Sequence, residues 1–328
     1  MDVLHMAYIS STNNITKPKI SLYRSDKLIN DNILPIDLTN NPQIYVCGGY
    51  DGQQFYSQCY KLDILLNNWS KDSLLDHMIH SRYHLKLIQF DNKLYSIGGR
   101  QDISTNWVET YDTRNNLWAV VSPLNIKRYG LGAAVINNTI YVCGGLNTNE
   151  LSIKSCEYFT RETNEWMFTN PMLTARDFHE LVAHEGCLYA IGGNSNNNNQ
   201  SVNTVEKYEH SSQTWEQVAN MTSARSSFGA ISFMGKIYVC GGRTSNTGQT
   251  VSNICEVYDS HTNKWTQISS MKESRFDLQL VTYNDKLYAV GGDKTNTIEI
   301  YDYMSDRWSH SITLPTKVGA FGVSIYKN

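Results

Sequence analysis

The chain has 328 residues, a formal net charge of −3, 41% hydrophobic residues and 11% aromatic residues. The charges are balanced and no basic block occurs, so electrostatics do not favour nucleic-acid binding. No stretch of about 18 apolar residues occurs, and residues 1–10 lack the basic and apolar regions of a secretory signal. We therefore expect a cytoplasmic protein with no nucleic-acid or membrane partner.

Residues 1–41 show no repeated feature and carry the asparagine pairs Asn13-Asn14 and Asn40-Asn41. We interpret this segment as a non-repeat leader or the remnant of a linker from a lost upstream domain. Residues 42–328 are assigned to a separate domain, because a repeated pattern extends from about residue 44 to about residue 326.

Within that domain, six glycine pairs recur at spacings of 50, 46, 48, 49 and 50 residues. They are Gly48-Gly49, Gly98-Gly99, Gly144-Gly145, Gly192-Gly193, Gly241-Gly242 and Gly291-Gly292. A period of this size is typical of repeated supersecondary units. Each pair follows a short apolar strand, and glycine allows backbones to crowd near a central axis where side chains would clash.

Three other residue types recur in register with the glycine pairs. An arginine stands 16 residues before each of the last five pairs: Arg82, Arg128, Arg176, Arg225 and Arg275. A glutamate and then a tryptophan follow those pairs, the glutamates being Glu109, Glu157, Glu206, Glu256 and Glu299. We interpret the arginine and the glutamate as a structural ion pair, because a buried guanidinium needs a carboxylate or several carbonyls. The tryptophan is predicted to lie between neighbouring sheets.

Each unit is predicted to form four short antiparallel strands joined by polar turns such as Asn137-Asn138-Thr139. Six such sheets placed radially form an all-β, six-bladed propeller. The repeated part of the chain starts at a second strand, residues 44–47, and ends with an unpaired first strand, residues 319–326. We therefore expect the C-terminal strand to join the first blade and close the ring.

Six of the seven cysteines occupy two repeated positions. Cys47, Cys143 and Cys240 precede glycine pairs, and Cys59, Cys156 and Cys255 lie beside the glutamate step. We interpret them as reduced, small apolar core residues. Disulfides between neighbours such as Cys47 and Cys59 are the alternative.

The densest histidine group is His77, His80 and His84, which we interpret as solvated loop residues rather than a metal site. Catalysis requires paired carboxylates, a nucleophile with its base, or metal ligands to converge, and the pattern indicates no such set. We expect no enzyme activity, no catalytic residue, no metal and no cofactor.

Paired glycines, the Glu-x-Tyr-Asp sequence of residues 109–112, the tryptophan and the following arginine together resemble the kelch repeat. The resemblance extends over nearly nine-tenths of the chain and implies a six-bladed kelch propeller. Two departures are Tyr60, which stands where other units have glutamate, and Lys317, which stands where an arginine is expected after Trp308.

The spacing and the terminal closure look most like the kelch domains of BTB-kelch proteins. This resemblance implies the substrate receptor of a cullin-RING ubiquitin ligase, with a protein target that is a short peptide segment or a folded partner. In that family an N-terminal BTB domain binds the cullin, and residues 1–41 leave no room for one. The resemblance then implies either a BTB/cullin complex reached through a separate chain or a BTB-lacking decoy, as in truncated poxvirus kelch proteins. An actin-binding or cytoskeletal scaffold protein is the alternative.

The resemblance also implies which loops face a partner, namely those after the glycine pairs and those around the repeated arginines. Loops on a rigid scaffold commonly carry recognition, and arginine and aromatic residues are enriched at binding hot spots. We predict the partner-binding residues Tyr50, Arg100, Arg243, Tyr83, Tyr129 and Phe276. The alternative is that the aromatic residues next to the arginines pack internally.

Overall fold

The computed structural model describes residues 5–6, 22–23, 42–70, 75–195, 200–244, 250–293, 295–317 and 319–327. The chain divides into two compact units, residues 1–41 and residues 42–328. In the first unit the described strands, His5–Met6 and Leu22–Tyr23, pair antiparallel. The prediction of a leader falls otherwise on residues outside the described ranges. Within those ranges, no helix is long and apolar enough to cross a membrane.

In the described part of the second unit, the strands form six four-stranded antiparallel sheets and one small three-stranded sheet, and the six larger sheets confirm the predicted six-bladed propeller. The first strand of every blade lines a central channel. First strands contact one another in ring order, and the first strand of blade six contacts that of blade one. The ring is therefore closed.

The strand bounds follow, each blade being given from the channel outward. Blade one consists of Gly322–Tyr326, Gln43–Cys47, Cys59–Asp63 and Asn68–Trp69. Blade two consists of Lys86–Phe90, Lys93–Ile97, Val108–Asp112 and Leu117–Val120. Blade three consists of Gly132–Ile136, Thr139–Cys143, Cys156–Thr160 and Trp166–Thr169. Blade four consists of Glu180–His184, Cys187–Ile191, Val205–Glu209 and Thr214–Val218. Blade five consists of Gly229–Phe233, Lys236–Cys240, Cys255–Asp259 and Lys264–Ile268. Blade six consists of Gln279–Tyr283, Lys286–Val290, Thr297–Asp302 and Arg307–Thr313.

Blade one is completed by the C-terminal strand, as predicted. Gly322–Tyr326 pairs antiparallel with Gln43–Cys47 over all five residues. The indole nitrogen of Trp69 donates to the carbonyl of Thr313 in blade six at 2.7 Å. The tryptophans of blades two to six donate in the same way to a carbonyl at the end of the preceding blade. Closure therefore repeats the geometry of the other five joints between blades.

The predicted structural ion pairs are confirmed in blades two to six. They are Arg82–Glu109, Arg128–Glu157, Arg176–Glu206, Arg225–Glu256 and Arg275–Glu299. In one of them Arg128 Nη2 lies 2.7 Å from Glu157 Oε1, while Arg128 Nη1 donates to two backbone carbonyls. Glu157 also accepts the backbone N–H groups of Asn125 and Ile126. Each pair thus fastens the loop before a first strand to the third strand of the same blade.

The prediction that Lys317 takes the arginine position of blade one is wrong. Gly319 pairs with Tyr50 in the way that Tyr83, the residue after Arg82, pairs with Arg100. The arginine position is therefore residue 318. Lys317 lies one residue earlier and is exposed.

Blade one instead carries three coupled sequence changes. Val318, whose structure lies outside the described residues, stands at the arginine position, and Tyr60 stands at the glutamate position. Pro315 stands where blade three has Asn125, whose backbone N–H donates to the glutamate of that blade. Proline has no backbone N–H, so Pro315 lacks the donor. Blade one therefore differs from blade three in the charge, its counter-charge and one hydrogen-bond donor.

The glycine pairs lie at the joints between blades. Gly144 and Gly145 have φ values of 65° and 96°, a region that favours glycine. Gly145 N donates to the carbonyl of Arg176 in the next blade at 2.9 Å. A Cβ on Gly144 would lie 2.5 Å from that same carbonyl oxygen. The predicted crowding of backbones is confirmed, and bonds of this kind join blade one to blade two and so on to blade six.

Four cysteines differ from the prediction of reduced thiols. Disulfides join Cys47 to Cys59 and Cys143 to Cys156, each with a Cα–Cα distance of 4.2 Å. Each pair lies directly across the second and third strands of one blade. This direct opposition is not visible in the sequence, because the loop between the two strands has no fixed length.

The blades alternate in composition with a period of two. Blades one, three and five have two cysteines at the ends of the second and third strands, where blades two, four and six have Ile97–Val108, Ile191–Val205 and Val290–Ile298. The first strands of blades one, three and five begin with Gly322, Gly132 and Gly229, and those of blades two, four and six with Lys86, Glu180 and Gln279. These positions of the repeat thus follow a period of two blades.

His179 is a buried histidine at the joint between blades three and four. Its side chain is 1% exposed, and neither ring nitrogen has a hydrogen-bond partner among the described residues. Burial, reinforced by the charges of Arg176, Lys86 and Arg128, holds the pKa of His179 well below its usual range. The equivalent positions of the other blades are apolar: Leu85, Leu131, Phe228, Leu278 and Phe321.

We expect His179→Leu to make the propeller less sensitive to acid. Because the folded-state pKa lies below the unfolded value of about 6.5, the unfolded chain binds the extra proton. The wild-type free energy of unfolding should therefore fall below about pH 6.5 with an added slope of up to ~1.4 kcal/mol per pH unit, and should show no such slope above it. Denaturant unfolding at pH 7.5, 6.0 and 5.0 measures this slope. The matched control is His261→Leu, whose imidazole is 78% exposed, and an equal effect of both variants would contradict the prediction.

Candidate protein-binding face

One end of the propeller is built by a repeated pairing between two loops of each blade. The residue after each glycine pair bonds through the backbone to the residue after the arginine position, which is residue 318 in blade one. The pairs are Tyr50 with Gly319, Arg100 with Tyr83, Leu146 with Tyr129, Asn194 with Asp177, Arg243 with Ser226 and Asp293 with Phe276. We call the surface formed by these twelve residues the upper face. The two loop sets predicted to share a face do lie together.

The six predicted partner-binding residues all belong to the upper face and form three pairs across joints between blades. The rings of Tyr50 and Tyr83 have centroids 5.3 Å apart. The Arg100 guanidinium lies 4.9 Å from the centroid of Tyr129, and that of Arg243 lies 3.6 Å from the centroid of Phe276. In each pair, the residue after a glycine pair packs on the residue after the arginine of the next blade. Cation–π contacts of this kind hold the two arginines in place.

An aromatic cluster occupies the blade one and blade two side of the upper face. Phe55 lies 5.2 Å from Tyr50 and stacks on Tyr83 at 5.4 Å between ring centroids. Through His84, which lies 4.6 Å from Tyr83 and 4.7 Å from Phe178, the cluster continues toward blade four. All five rings are partly exposed. Sequence analysis missed Phe55, because it stands in a loop without periodic features.

Arg100 is held by two acceptors on blade three. Its Nη1 donates to the hydroxyl of Tyr129 at 2.7 Å and lies 3.1 Å from Glu150 Oε1, and the side chain keeps 28% exposure. The Tyr129 hydroxyl donates to Glu150 in turn. Burial and the bond to Glu150 raise the pKa of Tyr129, so the phenol stays protonated. Tyr129 itself is 4% exposed, so it positions Arg100 and offers little surface of its own.

The blade four side of the upper face is a closed polar network. Arg176–Asp177, Asn194–Ser195 and Gln200–Ser201 form a small three-stranded sheet there. Asp177 accepts from Ser152 at 2.5 Å and from the Asn194 amide at 3.1 Å. Burial raises the pKa of Asp177, and the two hydrogen bonds oppose this shift. Asp177, Ser152 and Asn194 thus bond to one another, and the aromatic cluster is the more open part of the face.

The residues two positions after the arginines encircle the channel below the upper face. They are His84, Gly130, Phe178, Ser227, Asp277 and Ala320, and all have φ between 46° and 60°. Each of the first five donates its backbone N–H to the carbonyl of the preceding member of the ring, with His84 donating to Ala320. Farther down, the Lys86 ammonium lies 2.6 Å from Glu180 Oε1. The rim under the upper face is thus fixed by backbone hydrogen bonds.

The interpretation of three solvated histidines is correct only for His77, which is exposed. His80 stacks on Trp107 at 4.1 Å between centroids, and its Nδ1 lies 3.0 Å from a carboxylate oxygen of the buried Glu109. His84 Nε2 lies 3.4 Å from Asp277 Oδ2. Across the described ranges, no group of three or more His, Cys, Asp or Glu side chains could hold a metal ion.

The sequence matches two family models. The KLHDC2/KLHL20/DRC7 Kelch-repeats domain matches residues 86–292, and the Kelch motif matches residues 38–72. Among similar proteins, human Kelch-like protein 23 is 31% identical over 152 residues, which is 45% of this chain and 25% of that protein. Kelch-like protein 15 of Danio rerio is 29% identical over 161 residues, which is 44% of this chain and 26% of that protein.

The alignments thus span about a quarter of the length of the curated relatives. A solved structure, "Structure of YjhT", superposes with a TM-score of 0.67 at 15% identity and covers 81% of this chain and 97% of its own, which supports the fold alone. The first family model covers more than half of the chain, and kelch repeats form protein-binding propellers that are typically not catalytic. The chain belongs to the kelch-repeat family.

Proposed function

We propose that the upper face binds a protein target, with the propeller acting as the substrate-recognition domain of a cullin-RING ubiquitin ligase adaptor. The observation that carries the proposal is the set of three pairs across blade joints, in which partly exposed Tyr50, Tyr83, Arg100 and Arg243 are held by neighbours. Arginine and tyrosine are enriched at hot spots, and ordering them before binding lowers the entropy cost of association. Similarity to Kelch-like proteins supports an adaptor of the BTB-kelch type.

The expected footprint is asymmetric. The cluster of Tyr50, Phe55 and Tyr83 suits an apolar or aromatic side chain of the target, because aromatic pairs gain about 0.5–1.5 kcal/mol beyond burial. Arg100 lies at the joint between blades two and three and Arg243 at the joint between blades five and six, and both suit carbonyl or carboxylate acceptors. Glu150 competes for Arg100, so a target must supply a better acceptor or bind beside it.

Both versions of the proposal use this face to bind the target. They differ in whether the chain also recruits a ubiquitin ligase. In one, a BTB domain on a separate chain couples the propeller and its target to the ligase. In the other, the chain is a decoy that holds the target and recruits no ligase. Cullin that co-purifies with the tagged chain supports the first version, and target without cullin supports the second. Both versions place the protein in the cytoplasm.

The experiment is affinity purification with quantitative mass spectrometry on the tagged full chain and on Arg100→Ala/Arg243→Ala. Truncating hot-spot residues typically costs about 2 kcal/mol or more, roughly a 30-fold loss of affinity. We therefore expect the specifically bound protein to fall by at least tenfold. Recovery of actin filaments by both proteins would favour the scaffold function instead.

The matched control is Arg161→Ala/Lys236→Ala, which removes the same charge away from the upper face. Arg161 lies in the turn after a third strand, and Lys236 begins a second strand, both at the end of their blades opposite the glycine pairs. The control should retain the bound protein. Equal recovery from the wild type and from Arg100→Ala/Arg243→Ala, with both variants folded by circular dichroism, would show that the upper face is not the binding surface.

A further inference from the structure

A third cysteine pair has the same strand register as the two disulfides. Cys240 lies opposite Cys255, as Cys47 lies opposite Cys59 and Cys143 opposite Cys156. In all three blades the N–H of the next glycine donates to the carbonyl before the second cysteine, at 2.9–3.1 Å. That pattern defines a non-hydrogen-bonded pair, in which Cα atoms are closest and side chains meet. Cys240 and Cys255 are nevertheless free thiols.

The strand register of Cys240 and Cys255 is that of the two cysteine pairs that form disulfides. The two bonded pairs have Cα atoms 4.2 Å apart, and the third pair sits in the same repeated frame. Both thiols are fully buried. Burial, and then the hydrogen bond that the Cys240 thiol makes to its neighbour Cys255, raise the pKa of Cys240. The thiolate fraction at neutral pH is therefore small. Because both thiols are buried, a small oxidant is better suited to the site than a bulky one.

We propose that Cys240 and Cys255 form an oxidation site at which a peroxide creates a third, reversible cross-strand disulfide. The thiolate of one cysteine attacks a peroxide oxygen, which yields a sulfenic acid and one water. The second thiol then attacks the sulfenic sulfur, so that an S–S bond forms and a second water leaves. Overall, two thiols lose two protons and two electrons to hydrogen peroxide, which becomes two waters. This inference is independent of the partner-binding proposal.

The test treats the full chain with hydrogen peroxide, removes the excess with catalase and unfolds the protein in iodoacetamide. Of the three free cysteines, we expect only Cys187 to remain alkylated, with the peptides of Cys240 and Cys255 recovered as a linked pair. Dithiothreitol should restore the two thiols. The oxidation rate should rise about tenfold from pH 7 to pH 8, because the thiolate is the reactive form.

The matched control is Cys240→Ile/Cys255→Val, which copies the Ile97–Val108 pair of blade two. Peroxide should raise the unfolding temperature of the wild type by about 5 °C, because a cross-link lowers the conformational entropy of the unfolded chain. It should leave the control unchanged. Three alkylated cysteines after peroxide treatment would overturn the proposal. So would conversion of Cys240 and Cys255 to sulfinic acids, or a link from either cysteine to Cys187.

Discussion

Glu157→Ala is expected to lower the free energy of unfolding by about 3–5 kcal/mol, the usual cost of removing one partner of a buried ion pair. The carboxylate is fully buried and accepts from Arg128 at 2.7 Å. It also accepts the N–H groups of Asn125 at 2.7 Å and Ile126 at 3.2 Å. Its loss leaves a buried guanidinium without a counter-charge, and it leaves two backbone donors and the Asn125 side-chain amide without this acceptor. Denaturant unfolding followed by tryptophan fluorescence measures the change.

The matched control transplants the arrangement of blade one into blade three. Asn125→Pro/Arg128→Val/Glu157→Tyr removes the charge, the counter-charge and one donor together, as Pro315, Val318 and Tyr60 do. Replacement of a buried ion pair by apolar residues is often neutral, so this triple variant should be less destabilised than Glu157→Ala. A triple variant that unfolds more easily than Glu157→Ala would show that blade one tolerates these residues for another reason.

Much of the fold could be predicted from the sequence because its determinants repeat at fixed distances. Arg128 stands 16 residues before its glycine pair and Glu157 stands nine residues before its tryptophan, and both spacings are constant in five units. Ring closure follows from a first strand at one end of the repeat and a second strand at the other. The Lys317 error arose because blade one has lost the arginine, which left no repeated residue to set the register.

The candidate site was only partly predictable, because side-chain exposure depends on loops that do not repeat. The positions of Tyr83 and Tyr129 are equivalent in sequence, yet Tyr83 is partly exposed and Tyr129 is buried under Arg100 and Glu150. Glu150 has a left-handed backbone conformation, with φ of 58°, and its carboxylate reaches Arg100 from there. No spacing in the sequence indicates this conformation. Phe55 joins the cluster through ring stacking between two loops. Contacts between blades thus decide which aromatic residues are exposed on the upper face.

A chain that ends at residue 316 is expected to lose cooperative folding. The strand Gly322–Tyr326 supplies every partner residue on the inner edge of Gln43–Cys47. Phe321 and Val323 are 2% and 6% exposed and belong to the core between blades one and six. Without them that core opens and an unpaired edge strand is exposed, which promotes aggregation. Thermal unfolding and size-exclusion chromatography should show no sharp transition and no monomer peak.

A variant in which the C-terminal strand is moved to the front of the chain distinguishes the effect of losing this strand from the effect of shortening the chain. In blades two to six the first and second strands are joined by two-residue turns with positive φ, such as Asp91-Asn92, the geometry of a type I′ hairpin. Tyr326 lies opposite Gln43 just as Phe90 lies opposite Lys93. We therefore expect residues 317–326, joined through Asn-Gly to residues 43–316, to restore a cooperative monomer. A chain ending at Tyr326 should remain stable, since Lys327, the described residue that it lacks, is joined to Gln89 by two exposed hydrogen bonds. Cooperative unfolding of the chain ending at residue 316, or failure of the relocated strand to restore it, would contradict closure by this strand as the source of stability.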